Sequence, residues 1–339
     1  MYSDSDLDAA VAAGALTPEA AASLRAFVAR RLEASPVDEE HFRLLTGFND
    51  IFVSIAAALL LTALAWLGRL VFAEFSPAAV AVASWGFAEF FTRRRRMALP
   101  SILLLLAFVG AVFSLGSLLV VLKAPAIAEA KPVAPVAAGA ALAALAAYAH
   151  WRRFMVPITV AAGTAALVAM ALTLLLYFAP GARAWLNPLL MLAGLAVFAL
   201  AMRWDASDRQ RMTRRADVAF WLHLLAAPLV IHPVFAMLGL TGIGGASVSH
   251  AAAAVAIYFV LAVVALAIDR RAVLVSALFY VLYAISALFR AAGSVSESFA
   301  LTALVIGSAL LLLSAFWHPV RRQVLGWIPP LIRNRLPAV

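Results

Sequence analysis

The sequence predicts an all-α fold: a polytopic transmembrane bundle of about ten helical spans, preceded by a small N-terminal helical hairpin. Three observations predict it. Hydrophobic residues make up 65% of the 339 and charged residues only 13%, with a mean hydropathy of +1.00, far from the soluble pattern of about half apolar and a quarter charged. Apolar stretches able to cross a hydrocarbon core of about 30 Å, which takes roughly 20 residues, recur from Ile51 to Trp317. Lys and Arg gather in alternate connections between those stretches, the bias that orients a chain in a bilayer.

Residues 1–46 are Ala-rich but mixed with charge and read as a cytoplasmic hairpin and linker. Met1 to Asp8 is acidic and lacks the basic and apolar regions of a cleavable signal peptide, so the chain is expected to keep it. A first helix is predicted from Asp4 to Ala13, with Gly14 placed for a left-handed C-terminus. Thr17 is the expected N-cap of a second helix, with Pro18 at its first position, where a missing N–H is no loss. Leu24, Phe27, Val28 and Leu32 recur at helical spacing opposite Arg25 and Arg30. This stripe must dock, because two short helices bury too little alone; Leu24, Phe27 and Leu32 are the candidate partner-docking residues. Pro36 to Glu40 form an acidic linker.

The ten spans of residues 47–318 are predicted at Ile51 to Ala73, Pro77 to Phe91, Ala98 to Leu122, Val133 to Trp151, Phe154 to Phe178, Pro188 to Met202, Asp217 to Leu240, His250 to Ile268, Ala272 to Arg290 and Phe299 to Trp317. The second and sixth are short, which little tilt or local thinning accommodates. Charge placement tests the count independently. Of 26 basic residues, 21 fall on one side, including Arg93 to Arg96, Arg152, Arg153, Arg203, Arg214, Arg215, Arg270, Arg271, Arg321 and Arg322. Five fall on the other: Arg69, Lys123, Lys131, Arg183 and Arg290. Losing one span would spoil the alternation downstream, so both termini are expected to be cytoplasmic. Trp151, Trp204 and Trp317 at inner ends and Trp185 at an outer one suit an interfacial aromatic belt. Residues 319–339 combine apolar positions with four arginines and a Pro329-Pro330 break, an amphipathic basic tail for anionic headgroups or a topology anchor.

Zero cysteines exclude disulfides, thiolate metal sites, iron-sulfur clusters and cysteine nucleophiles. The net charge of +9 is explained by topology, so nucleic acid is not an expected partner; the lipid bilayer is. Ionisable groups inside spans are functional candidates by default. Glu89 lies one turn before Arg93, so an i,i+4 ion pair accounts for it. Asp217 begins the seventh span near Arg214 and Arg215, where the helix dipole favours it. The seventh span is the most unusual, because His223 and His232-Pro233 bracket Pro228. Nine residues at 100° each put the two histidines on opposite faces roughly 13 to 14 Å apart along the axis, too far for one metal ion. The prolines each remove a helical hydrogen bond and are expected to kink the helix. His232 is placed to face His250 at the start of the eighth span. A neutral, hydrogen-bonded histidine is the commoner situation; a proton, metal or haem role is the alternative. The solute or proton pathway candidates are therefore His223, His232, His250, Pro228 and Glu89.

Gly239 to Gly245 lack a Gly-Lys-Ser/Thr sequence and read as a turn. Gly110, Ser114, Ser117 and Gly139 read as close helix packing. No zincin motif, nucleophile elbow or supported carboxylate pair occurs, so the chain reads as a non-enzyme more readily than an enzyme. No inverted repeat is evident, since the short spans do not correspond under a five-plus-five division.

The pattern Leu7 to Gly14, then Leu16-Thr17-Pro18-Glu19-Ala20-Ala21, with the ending Trp317-His318-Pro319-Val320-Arg321-Arg322, resembles an uncharacterised family of predicted bacterial membrane proteins with a cytosolic helical module. The resemblance implies the layout and no activity, cofactor or substrate. Arginine outnumbering lysine 24 to 2, with abundant alanine, suits a GC-rich bacterium, and the expected location of the polytopic chain is a bacterial inner membrane. The leading functional expectation is binding or movement of a small solute or lipid between helices. One alternative is an accessory or sensory protein recruiting a cytoplasmic partner through the hairpin; a second is a haem- or metal-dependent membrane oxidoreductase.

Overall fold

A computed structural model describes residues 7, 10–24, 48–208, 213–238, 248–291, 298–329 and 336, and every regular element among them is helical. The chain divides into two compact units, Met1–Arg43 and Leu44–Val339.

In the first unit, residues 10–12 and 18–24 are helical. Gly14 takes φ +71°, its N–H bonds to Val11 O at 3.0 Å, and the Ala15 N–H bonds to Ala10 O at 2.9 Å. This pair of bonds is the Schellman ending, in which orphan carbonyls are satisfied by a residue only glycine occupies without cost. The Thr17 hydroxyl accepts the Ala20 N–H at 3.2 Å, the expected cap. Ala21 is buried and Leu24 half-buried. Phe27, Val28 and Leu32 lie outside the described residues.

In the second unit each predicted span overlaps a helix: α1 Phe48–Val71, α2 Phe75–Ala88, α3 Ala98–Lys123, α4 Ala134–Phe154, α5 Ile158–Phe178, α6 Leu186–Ala206, α7 Arg214–Met237, α8 Val248–Ile268, α9 Ala272–Ala291 and α10 Ser298–Ala315. A further helix, α11 Trp317–Trp327, follows. Six of the described helices are long and apolar enough to cross a membrane: α1, α3, α4, α5, the run Pro180–Ala206 that contains α6, and α7. Among its described residues the chain is thus a helical protein with several helices of the length and apolarity that membrane crossing requires.

Several predicted boundaries change, three of them with structural consequences. The second stretch is 14 residues of α-helix followed by a π-helical turn, Glu89–Arg94, in which the Arg95 N–H reaches back five residues to Phe90 O. The sixth is not short: α6 has 21 residues, because the helix continues through Arg203, Trp204 and Asp205 beyond the end of the apolar run. The tenth ends at Ala315, where the chain bends 78° into α11. Part of the apolar face of α11 packs on protein: Trp317, Val324 and Leu325 are buried against Leu266 and Ile268 of α8, while Trp327 is exposed.

Polar contacts tie together the ends that the charge count places on one face. Glu89 pairs with Arg153, Arg214 reaches Met155 O, Asp205 pairs with Arg270 and Trp317 donates to Asp269. At the opposite ends, Lys123 and Glu74 lie 3.2 Å apart and Lys131 donates to Tyr177 O at 3.3 Å. A hydrogen bond from its own backbone, then one from Lys123, holds the Glu74 carboxyl below its usual range.

Helices approach closely where small residues allow it. A Cβ on Gly139 of α4 would lie 2.6 Å from Phe113 O of α3, and one on Gly68 of α1 would lie 2.7 Å from the Ser76 Cα of α2. Lipid supplies no hydrophobic force between helices, so such van der Waals contact is the main attraction available. Half of the apolar window of α7 is buried, against 39% or less for the other five helices of crossing length, which makes α7 the central one of the six.

Gly139→Val is expected to destabilise the detergent-solubilised protein by about 1–3 kcal/mol, the usual cost of overpacking, seen as a lower midpoint in thermal unfolding. Gly110→Ala, with nothing within 4 Å of the new Cβ, should leave the midpoint unchanged or raise it.

Candidate functional site

The arginine-rich end of the bundle holds two buried charge networks. In the first, Arg270, just after α8, forks onto Asp205 at the end of α6: Nη2 pairs with Oδ1, and Nε donates to Oδ2 at 3.3 Å. Arg270 Nη2 also donates to Ala216 O of α7 at 3.3 Å. Asp205 is 2% exposed and Arg270 3%. His223 of α7, fully buried, places Nδ1 3.7 Å from Asp205 Oδ2 and 2.8 Å from Ala219 O. A carbonyl only accepts, so Nδ1 carries a proton. The edge of the ring meets Phe198 at 5.3 Å between centroids.

The second network centres on Asp269, which ends α8 in the left-handed conformation, φ 56°. The Arg270 N–H bonds to Ala265 O at 2.9 Å and the Asp269 N–H to Leu266 O at 3.4 Å, a helix ending that normally carries glycine. Aspartate tolerates this conformation better than most residues, and its carboxylate is used. Trp317 Nε1 donates to Oδ1 at 2.7 Å, and Arg321 Nε lies 3.7 Å from the same oxygen while donating to Leu266 O at 3.2 Å. Arg321 is 0% exposed. One residue therefore fastens the bent-over α11 to the end of α8, and its neighbour Arg270 fastens α6 and α7.

Beside the first network lies a cleft of about 450 Å³ between the α4–α5 corner, the end of α6 and the start of α7. Trp151 and Trp204, half-buried, and Arg214 and Arg215, exposed, line it. Trp204 precedes Asp205, so one turn of α6 turns a carboxylate inward and an indole to the cleft. Met155, left-handed at φ 56°, makes the corner and accepts Arg214 Nη1 at 3.4 Å. Thr213 caps α7 by accepting the Arg215 N–H at 3.3 Å, and its own hydroxyl and N–H donate to Asp208 Oδ2 at 2.6 and 2.9 Å.

The predicted candidates are dispersed. His223 is buried and His232 exposed, on opposite sides of α7. His232 Nδ1 lies 2.6 Å from Tyr280 Oη, which itself stacks on Phe235. His250 begins α8, and its side chain lies outside the described residues, as do Gly239 to Gly245. Pro228 is exposed and Pro233 buried, both inside a helix that continues to Met237. Glu89 makes the expected pair with Arg93 at 3.4 Å, and a closer one with Arg153 at 2.6 and 2.9 Å. Among the described residues, no three His, Asp or Glu side chains converge as a metal site.

Sequence reasoning missed Asp205, Asp269, Arg270 and Arg321 as a group. The available signal was two acids, in Arg203-Trp204-Asp205 and Asp269-Arg270-Arg271, on the face where bases gather. It also missed His150, wholly buried, with Thr159 Oγ1 at 3.3 Å and Phe154, Trp85 and Phe108 around its ring.

No protein-family model, curated protein or solved structure matches the chain.

Asp205→Asn should leave Arg270 buried without a counter-charge, at a cost of about 3–5 kcal/mol, read as a large fall in the unfolding midpoint in detergent. In Asp269→Gly two effects compete: relief of a left-handed residue, at most about 1–2 kcal/mol, and loss of the carboxylate beside buried Arg321, about 3–5 kcal/mol. The second should win, lowering the midpoint and exposing α11 to limited proteolysis.

Proposed function

We propose that this chain is a multi-pass protein of a bacterial inner membrane, crossing ten times with both termini cytoplasmic, and that it binds or moves a small solute or lipid between its helices. The observation that carries the binding reading is the cleft of about 450 Å³ lined by Trp151, Trp204, Arg214 and Arg215. Its volume falls within the roughly 300–1,000 Å³ of small-molecule sites. It opens beside the buried Asp205, His223 and Arg270 group, and buried charge at membrane depth is costly enough to mark functional regions. Ten crossings are supported by ten helical stretches and by the polar contacts joining alternate ends. The shortest, α2 with its π turn, comprises 14 and 6 residues in succession, nearly enough for a core of about 30 Å.

The lack of cysteine makes the topology easy to test, since any introduced thiol is the only one. Ala206→Cys should be labelled by a membrane-impermeant maleimide only after cells are opened, and Ala130→Cys in intact cells. Labelling of both from the same side would overturn the ten-span arrangement. Binding is tested by native mass spectrometry of the purified chain, where a retained small molecule or lipid, lost on Trp204→Ala, is the expected result.

A further inference from the structure

Who occupies the cleft follows from which of its polar groups remain to receive a ligand. Ser207 Oγ donates to Trp204 O at 2.7 Å, and the Thr213 hydroxyl donates to Asp208. Those hydroxyls are engaged within the protein. Most donors of the two guanidiniums are not. Arg214 gives one nitrogen to Met155 O, and neither Arg214 nor Arg215 forms an ion pair among the described residues, although both are exposed at the cleft. Asp217, one turn further along α7, does not line it. The remaining donors on two planar forks, beside the positive end of a 24-residue helix, select an oxyanion able to accept several hydrogen bonds at once. The walls select against a bare ion. Two indoles, Met155 and Val218 border an open cleft with far more space than phosphate alone fills, and Trp is the residue that sits where headgroup meets acyl chain.

We infer that the cleft is a headgroup site for a phosphate-bearing amphiphile, Arg214 and Arg215 holding the phosphate and Trp151 and Trp204 flanking the linkage to the acyl chains. This rests on the binding reading above and names its ligand class. The same phosphate chemistry is offered by a membrane phospholipid and by inorganic phosphate, which the test separates.

The full chain in detergent is titrated with brominated phosphatidylglycerol, brominated phosphatidylcholine or inorganic phosphate, and the fluorescence change absent from Trp204→Phe is followed. Phosphatidylglycerol should quench at lower concentration than phosphatidylcholine. Arg214→Gln/Arg215→Gln should weaken it on the order of tenfold or more, as expected for two charge-assisted bonds. Arg94→Gln/Arg322→Gln, which removes equal charge from exposed positions on the same face, should not, and Arg215→Lys should fall between. Competition by inorganic phosphate without lipid selectivity supports the phosphate site with a free ion as its source. Equal binding of the two lipids without phosphate competition, or equal losses in the two double variants, overturns the headgroup assignment while quenching at Trp204 leaves amphiphile binding standing. No quenching by any probe defeats both.

Discussion

The fork of Arg270 on Asp205 is the contact on which the arginine-rich end of the bundle depends. It is a charge pair almost fully removed from solvent, where an unpaired ion costs several kcal/mol and a paired one roughly breaks even. Its contribution is therefore less net stability than selection: any arrangement that separates α6 from the start of α9 leaves one of two charges buried alone. In a bilayer this matters more than in water, because apolar side chains gain little by choosing a neighbouring helix over lipid. Asp269 repeats the device one residue earlier, and the two adjacent residues between them fix α6, α7, α8 and α11.

The cleft is a consequence of that constraint. Asp205 must face inward, so Trp204, about 100° round the helix, faces the α4–α5 corner. Arg270 also takes Ala216 O, which fixes the first turn of α7 and with it the positions of Arg214 and Arg215. The corner itself is turned by Met155 in a conformation rarely adopted by side chains of its size. Small residues complete the framework elsewhere: Gly68 and Gly139 let backbone meet backbone where lipid offers no competing force.

Much of the fold was legible because it is written in long, local signals. Apolar runs of about 20 residues and alternating arginines need no partner to be recognised. Gly14 and Thr17 were readable for the same reason, since a cap is satisfied within one turn. The end of α6 was not, because Arg203 and Asp205 look like the end of a span until Arg270, 65 positions away, is known to neutralise Asp205. Orientation rules count lysine and arginine and give acids little weight, so Asp205 and Asp269 were passed over on the face where they matter. His223 stood out by its prolines, and only its burial against Asp205 was hidden. His150 was silent: its aromatic neighbours Trp85 and Phe108 come from α2 and α3.

Composition and periodicity alone determined that this is a helical membrane protein, where its apolar helices lie, and which of their ends carry positive charge, because lipid forces every crossing segment to satisfy its own backbone and advertise its own hydrophobicity. Tertiary structure decided the rest. Which arginines are buried, which carboxylates they meet, that α11 folds onto protein, and that two tryptophans and two arginines frame one cleft are all facts of contact between distant segments. No single segment encodes them, since a charged side chain at a helix end has the same local pattern whether it faces water or another helix.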